Sequence, residues 1–296
     1  MRPNVALRVI PWNRYRERPT MKAVTLPGGE TIPALGQGSW MMGERTAHRA
    51  DEIAALRRGV ELGMTLIDTA EMYGDGAAET VIAEALGAVR DDLFLVSKAY
   101  PQNASRTRLA AACEASLKRL GTDRLDLYLL HWRGSVPFAE TVEAMEALKA
   151  AGKIRHWGVS NLDTDDMVEL IESGGDRCAT DQILYNLSRR GPEHALMPWL
   201  AEHGIPVMAY SPVEQGRLIA DPTLAKIART IGASPAQVAL AWVLNRDGVV
   251  AIPKAGTVAH VQENRGAADL LLSPDDLAAL DTAFAPPRTR RPLEML

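Results

Sequence analysis

Cysteine is nearly absent from this chain. Cys113 and Cys178 are the only two among 296 residues, and their separation of 65 positions matches neither a zinc nor a redox motif. The expectation is two buried thiols in a reducing compartment. Excess positive charge is missing too: 33 Lys and Arg stand against 37 Asp and Glu, for a net charge of -4. Such a balance offers no basic field to nucleic acid or to a membrane surface. No apolar run approaches the ~20 residues that a membrane-spanning helix requires. The six histidines, at 48, 131, 156, 194, 203 and 260, include no H-x-H pair. That argues against a metal-dependent hydrolase, and no metal is expected. The stretch "LGQGSWMMGE" (35–44) supplies G-x-G without the third glycine of a dinucleotide-binding loop, so an open doubly wound sheet lacks its usual signature.

What remains is an alternation. Short apolar runs at 33–40, 64–70, 93–99, 125–132, 154–161, 179–186, 206–212 and 249–254 are separated by polar loops and helical patterns, for example at 49–62, 77–88, 106–119, 139–151 and 163–173. Near-continuous apolar runs suit parallel strands buried on both faces. Gly63, Gly121, Gly152 and Gly204 each follow a helical run, where a left-handed cap is expected. Ser273 and Pro274 open a last helix at 273–284, and "TLPGGETI" (25–32) reads as a hairpin ahead of the repeats. Eight strand–helix units predict an α/β protein of the (β/α)8 TIM-barrel class, with a short N-terminal β-hairpin and a C-terminal helix. Residues 21–296 are expected to form one barrel domain. Residues 1–20, with five arginines and an apolar stretch broken by Arg8 and Pro11, read as a flexible extension rather than a secretory signal. The expected location is the cytoplasm.

Polar residues interrupt these strands at their C-terminal exits: Asp68, Lys98, His131, Ser160 with Asn161, Gln182, Tyr210 with Ser211, and Lys254. In a barrel all of these converge on the rim that builds active sites. Singly, each has a structural explanation as a cap, a snorkelling cation or a satisfied core histidine. Together, an Asp, a Lys and a His at three successive exits, with Tyr73 in the first loop, make a chemical set. A phenol titrates near ~10. A lysine cation beside it favours the phenolate, an aspartate holds that lysine, and a histidine can orient a carbonyl oxygen. The set is a proton donor to an oxyanion forming from a carbonyl, which requires a hydride from elsewhere.

On "LIDTAEMYGDGAAE", "LVSKAY", "LDLYLLHW", "GKIRHWGVSNLD", "DQILYN", "AYSPVEQGRL" and "IPKAGTVAHVQEN", the sequence resembles the aldo-keto reductases over residues 22–285. The resemblance implies a barrel that reduces aldehydes or ketones with a nicotinamide cofactor, without metal. By matching position it implies Tyr73 as general acid, Lys98 and Asp68 as its partners, and His131 as the group that orients the carbonyl. Ser160, Asn161 and Gln182 would hold the carboxamide and Tyr210 would stack on the nicotinamide. Ser211, Pro212 and Lys254 would lie at the phosphates, and Glu263 and Asn264 at the adenine. Where the family commonly has Ser or Thr and then Arg after "IPK", this chain has Ala255 and His260. His260 is thus expected at the 2′-phosphate without a bidentate Arg clamp. NADPH is the expected cofactor, with NADH as the alternative.

Other classes fit less well. A Schiff-base aldolase needs a neutral lysine, whereas Lys98 would be kept charged by an acid and a phenol. A cofactor-binding regulatory module would not need the intact Asp–Tyr–Lys–His set. Trp40 and Trp132 are expected as walls of an apolar pocket for a small carbonyl substrate. A short 133–138 connection, and only a dozen residues after the last helix, suggest an open mouth with few lid contacts. No feature sets a subunit number.

Overall fold

A two-stranded hairpin precedes the main sheet in the computed structural model, which describes residues 21–296. The expected extension, 1–20, lies outside the described residues. Strands β1 (Ala23–Thr25) and β2 (Thr31–Pro33) pair antiparallel, with Gly29 at φ 85° in the turn. Val24, Leu26 and Ile32 of this hairpin are buried.

Eight parallel strands follow: β3 (Gln37–Gly38), β4 (Leu66–Asp68), β5 (Phe94–Ala99), β6 (Leu125–Leu130), β7 (Ile154–Ser160), β8 (Asp181–Leu184), β9 (Val207–Tyr210) and β10 (Val249–Ala251). From β4 onward each pairs with its predecessor in the chain, as short crossover connections favour. The sheet closes on itself where Gly36 N donates to Ala251 O at 2.9 Å and Gly38 N to Pro253 O at 3.0 Å. Parallel bridges join Leu35 to Ala251 and Gly38 to Lys254 along the same seam. A Cβ on Gly38 would lie 2.7 Å from the Ile252 carbonyl oxygen, so the G-x-G of "LGQG" serves barrel closure. That seam also shortens the expected 33–40 strand to two paired residues, because most of the run spans from the hairpin to the closing bridges.

Helices α1 (Arg49–Glu61), α2 (Ala77–Leu86), α3 (Leu109–Leu120), α4 (Phe138–Ala150), α5 (Thr164–Glu172) and α6 (Leu196–Glu202) alternate with the strands. Two helices, α7 (Pro222–Ile231) and α8 (Pro235–Leu244), occupy the β9–β10 connection, and α9 (Val258–Ala267) and α10 (Pro274–Ala283) complete the chain. Their starts are set by side chains that satisfy otherwise unpaired amides: Asp163 for α5, Asp221 for α7, Ser234 for α8 and Ser273 for α10. Gly63, Gly121, Gly152 and Gly204 all adopt positive φ. Among the described residues no single helix is long and apolar enough to cross a membrane.

Trp157, Trp242, Tyr128 and Tyr185 are among the largest fully buried side chains, and Lys98 is with them. A lysine so placed needs a partner.

Candidate active site

Asp68 is the last residue of β4, and Lys98 lies near the end of the neighbouring β5. Lys98 Nζ donates to Asp68 Oδ2 at 2.8 Å, to the Thr69 carbonyl at 2.7 Å and to the Tyr73 hydroxyl at 3.1 Å. All three ammonium protons are therefore placed. The second carboxylate oxygen of Asp68 accepts from Gln182 Nε2 at 2.8 Å, which ties β4 to β8 across the barrel. Tyr73 opens a 3-10 turn after β4, and its amide donates back to Ala70. His131 follows β6, with its backbone amide on the Ala99 carbonyl at 3.0 Å. The Tyr73 and His131 rings meet edge to face, 5.9 Å between centroids.

Burial works against the Lys98 ammonium, but the Asp68 carboxylate and the Tyr73 oxygen outweigh it and hold its pKa above the ordinary lysine value. Tyr73 departs from the sequence reading. Burial and the Asp68 charge raise the phenol's pKa, and the opposing pull of Lys98 does not offset them. The phenol is a protonated donor rather than a partial phenolate. Burial, with Lys98 nearby, lowers His131 to about 3, so its imidazole is neutral at physiological pH.

Asn161 takes up the left-handed conformation immediately after β7, at φ 60°. Its amide nitrogen donates to the His131 carbonyl and to Ser160 Oγ, each at 3.1 Å, while its oxygen accepts from the Tyr210 hydroxyl at 2.9 Å. Ser160 in turn donates to the Gln182 carbonyl at 2.8 Å. Tyr210 ends β9, and Ser211 and Pro212 follow it, with Ser211 at φ 48°. Lys254 lies just past β10, and His260, Glu263 and Asn264 are carried on α9.

These residues line a single cavity of about 800 Å³ together with Asp68, Tyr73, His131, Trp40 and Trp132. Lys98 stands behind the lining, fully buried against its three hydrogen-bond partners. The cavity thus joins a protonated phenol, a row of amides and hydroxyls, one aromatic face, a lysine and the N-terminal turn of α9. That donor set fits a nicotinamide dinucleotide: amides for a carboxamide, a flat ring for stacking, and a cation with unpaired helix amides for phosphate.

The mouth is less open than the sequence suggests. Met295 and Leu296 line the cavity, because residues 284–296 return across the rim after α10. Arg290 pairs with Asp165 at 3.0 Å, Glu294 pairs with Arg189 at 2.6 Å, and the Leu293 amide donates to Asp163 Oδ2 at 3.3 Å. The open-mouth expectation is overturned by these contacts. The opposed charge runs "DTDD" (163–166) and "RTRR" (288–291) were the available signal. Met41, Met72, Gln215 and Ile219 also line the cavity; Met72 and Gln215 lie inside the family motifs already quoted, whereas Met41 and Ile219 lie outside them. Glu214, buried behind this loop, accepts from Asn186 at 2.7 Å and from Arg189 at 2.8 Å, and so fixes the segment that presents Gln215.

The family model for the Aldo/keto reductase family matches residues 34–284. Methylglyoxal reductase YeaE of Escherichia coli (strain K12) is 54% identical over 281 residues, covering 93% of this chain and 99% of that protein. The crystal structure of an aldo/keto reductase from Klebsiella pneumoniae, in complex with NADP and acetate, is similar at a TM-score of 0.91 and 49% identity, covering 94% of this chain and 100% of that one. An aldo/keto reductase structure from Brucella melitensis is similar at a TM-score of 0.80 and 33% identity, covering 89% and 98%.

Proposed function

The chain belongs to the aldo/keto reductase family, and we propose that it reduces a small aldehyde or ketone to the alcohol with NADPH, Tyr73 serving as the general acid. One observation carries this reading: a single buried ammonium, on Lys98, touches both the Asp68 carboxylate and the Tyr73 hydroxyl at the floor of the cavity. A lysine held charged in that way does not form an imine, which favours proton donation over Schiff-base chemistry.

In this reading Ser160, Asn161 and Gln182 hold the carboxamide, Tyr210 stacks on the nicotinamide, and Ser211, Pro212 and Lys254 take the phosphates. His260 meets the 2′-phosphate, with Glu263 and Asn264 at the adenine. Bound there, the cofactor supplies a hydride to the carbonyl carbon. Neutral His131 orients the carbonyl oxygen towards Tyr73. As charge develops on that oxygen, Tyr73 gives up its proton, and Lys98 stabilises the phenolate left behind. Trp40 and Trp132 exclude water from the substrate end. A small dicarbonyl, of the kind named for the Escherichia coli relative, is the substrate class that reading favours. The cytoplasm, where two free buried thiols stay reduced, is its place of action.

Consumption of reduced cofactor with methylglyoxal, simple aldehydes, ketones and sugars, with NADPH and NADH run in parallel, tests the proposal. Turnover of aldehydes with NADPH is expected. Cofactor binding without oxidation by any carbonyl would overturn it in favour of a sensing role.

A further inference from the structure

Sulfur is unevenly placed in this protein. Cys113 and Cys178 are fully buried, and burial pushes both thiols up to about 12, so neither offers a thiolate to an oxidant. Met42, Met64, Met145, Met167 and Met208 are sealed in the core. Among the described residues the strongly exposed thioethers are Met41, at 44%, and Met295, at 57%. Both line the same cavity, where Trp40 and Trp132 also stand. Met41 is held there by a left-handed backbone, φ 64°. Met295 is held there by its neighbours, through the Leu293 amide on Asp163 and the Glu294–Arg189 ion pair.

We propose that Met41 and Met295 are a peroxide-sensitive modification site that controls substrate binding at the cavity mouth. The oxidant is hydrogen peroxide or an organic hydroperoxide. A sulfur lone pair attacks one peroxide oxygen, the O–O bond breaks and an S–O bond forms. The thioether loses two electrons, and the proton on the transferred oxygen passes to the departing oxygen, which leaves as water or an alcohol. The product sulfoxide replaces a soft apolar surface with a strong dipole and acceptor. The reacting quartet lies deeper, around Lys98, and is untouched. The consequence is a higher KM for apolar carbonyls with kcat retained. This rests on the reading of the cavity as a carbonyl site.

The test is brief exposure of the whole enzyme to hydrogen peroxide, removal of the excess with catalase, peptide mass spectrometry, and kinetics with benzaldehyde. One added oxygen is expected on Met41 and Met295 ahead of the buried methionines. KM for benzaldehyde should rise about two- to tenfold, the range that one sulfur–aromatic contact to the substrate ring is worth. Treatment with the two methionine sulfoxide reductases should restore it. A Met41→Leu, Met295→Leu double variant, compared with its own untreated activity, should lose the peroxide response. Complete oxidation of both residues with KM unchanged would overturn the proposal, as would a double variant that responds as strongly as the wild type. Untreated enzyme that reduces no carbonyl would instead overturn the functional reading, while the mass shifts would still report whether these two sulfurs are the ones attacked.

Discussion

The Tyr73 hydroxyl lies 3.1 Å from Lys98 Nζ, and the two residues reach that distance from a loop and a strand 25 positions apart. If Tyr73 donates the proton, Tyr73→Phe removes the donor and little else. Turnover should fall by about 10²–10⁴, the usual worth of general acid catalysis, while the dissociation constant for NADPH stays near wild type. Because the phenol's pKa is raised, the acid form persists through mildly alkaline pH, and wild-type kcat should decline only beyond that range. Stopped-assay rates and cofactor titration check both statements; near-normal turnover in the variant contradicts the role.

Lys98→Met should lose turnover as well, for a different reason. Asp68 would be left as a buried carboxylate, 2% exposed, with only Gln182 as its side-chain partner. Breaking a buried pair in this way costs about 3–5 kcal/mol. A lowered urea midpoint alongside lost activity is the expected result. Lys98→Met with full stability would mean that the pair contributes little to the fold.

His131 makes a pH prediction of definite sign. Its folded-state pKa is depressed to about 3, against an unperturbed value of ~6.5. The unfolded chain therefore binds more protons between those values, and stability falls as pH drops from ~6.5 towards 3. The limiting slope for this one group is about 1.4 kcal/mol per pH unit. Denaturant titrations from pH 7 to pH 4 should show that slope, and it should flatten in His131→Gln. Above pH 6.5 the imidazole is neutral, so no limb of the activity profile near neutrality should belong to it.

At the far end of the cavity, His260 stands at the start of α9, where its amide donates to Thr257 Oγ1. A guanidinium there would add a two-bond clamp for a 2′-phosphate that imidazole lacks. His260→Arg should tighten NADPH several-fold and leave NADH almost unchanged. Lys254→Ala should weaken both, NADPH more. Tryptophan-fluorescence titrations with each cofactor decide the matter; equal shifts for the two cofactors would show that His260 does not face the 2′-phosphate.

The sequence carried the barrel because strand burial leaves a one-dimensional trace. Runs such as "LFLVSKA" are apolar except where a side chain must reach the rim, so the fold and its polar exits are legible together. Lys98 stood out for that reason. The direction of the Tyr73 shift did not, because it is set by the balance of burial against two nearby charges, and burial is a three-dimensional quantity. Met41 and Ile219 are ordinary apolar residues until the chain is folded. The return of the C-terminal segment depends on contacts such as Leu293 with Asp163, 130 positions apart, which no local periodicity records. Gly36 and Gly38 were visible, but their purpose was not: the pair looks like a weak phosphate loop and is a seam.

Asp163 accepts from the Thr164 amide at 2.7 Å through one oxygen and from the Leu293 amide at 3.3 Å through the other. One carboxylate thus starts α5 and fastens the strap across the mouth, two residues after Asn161. Without the strap that carboxylate would still cap α5 through the Thr164 amide, so the strap borrows an anchor that the helix already holds in place. The last residues of the chain are thus moored to the start of the helix that follows the Asn161 corner, so the mouth and the cradle share one fixed point.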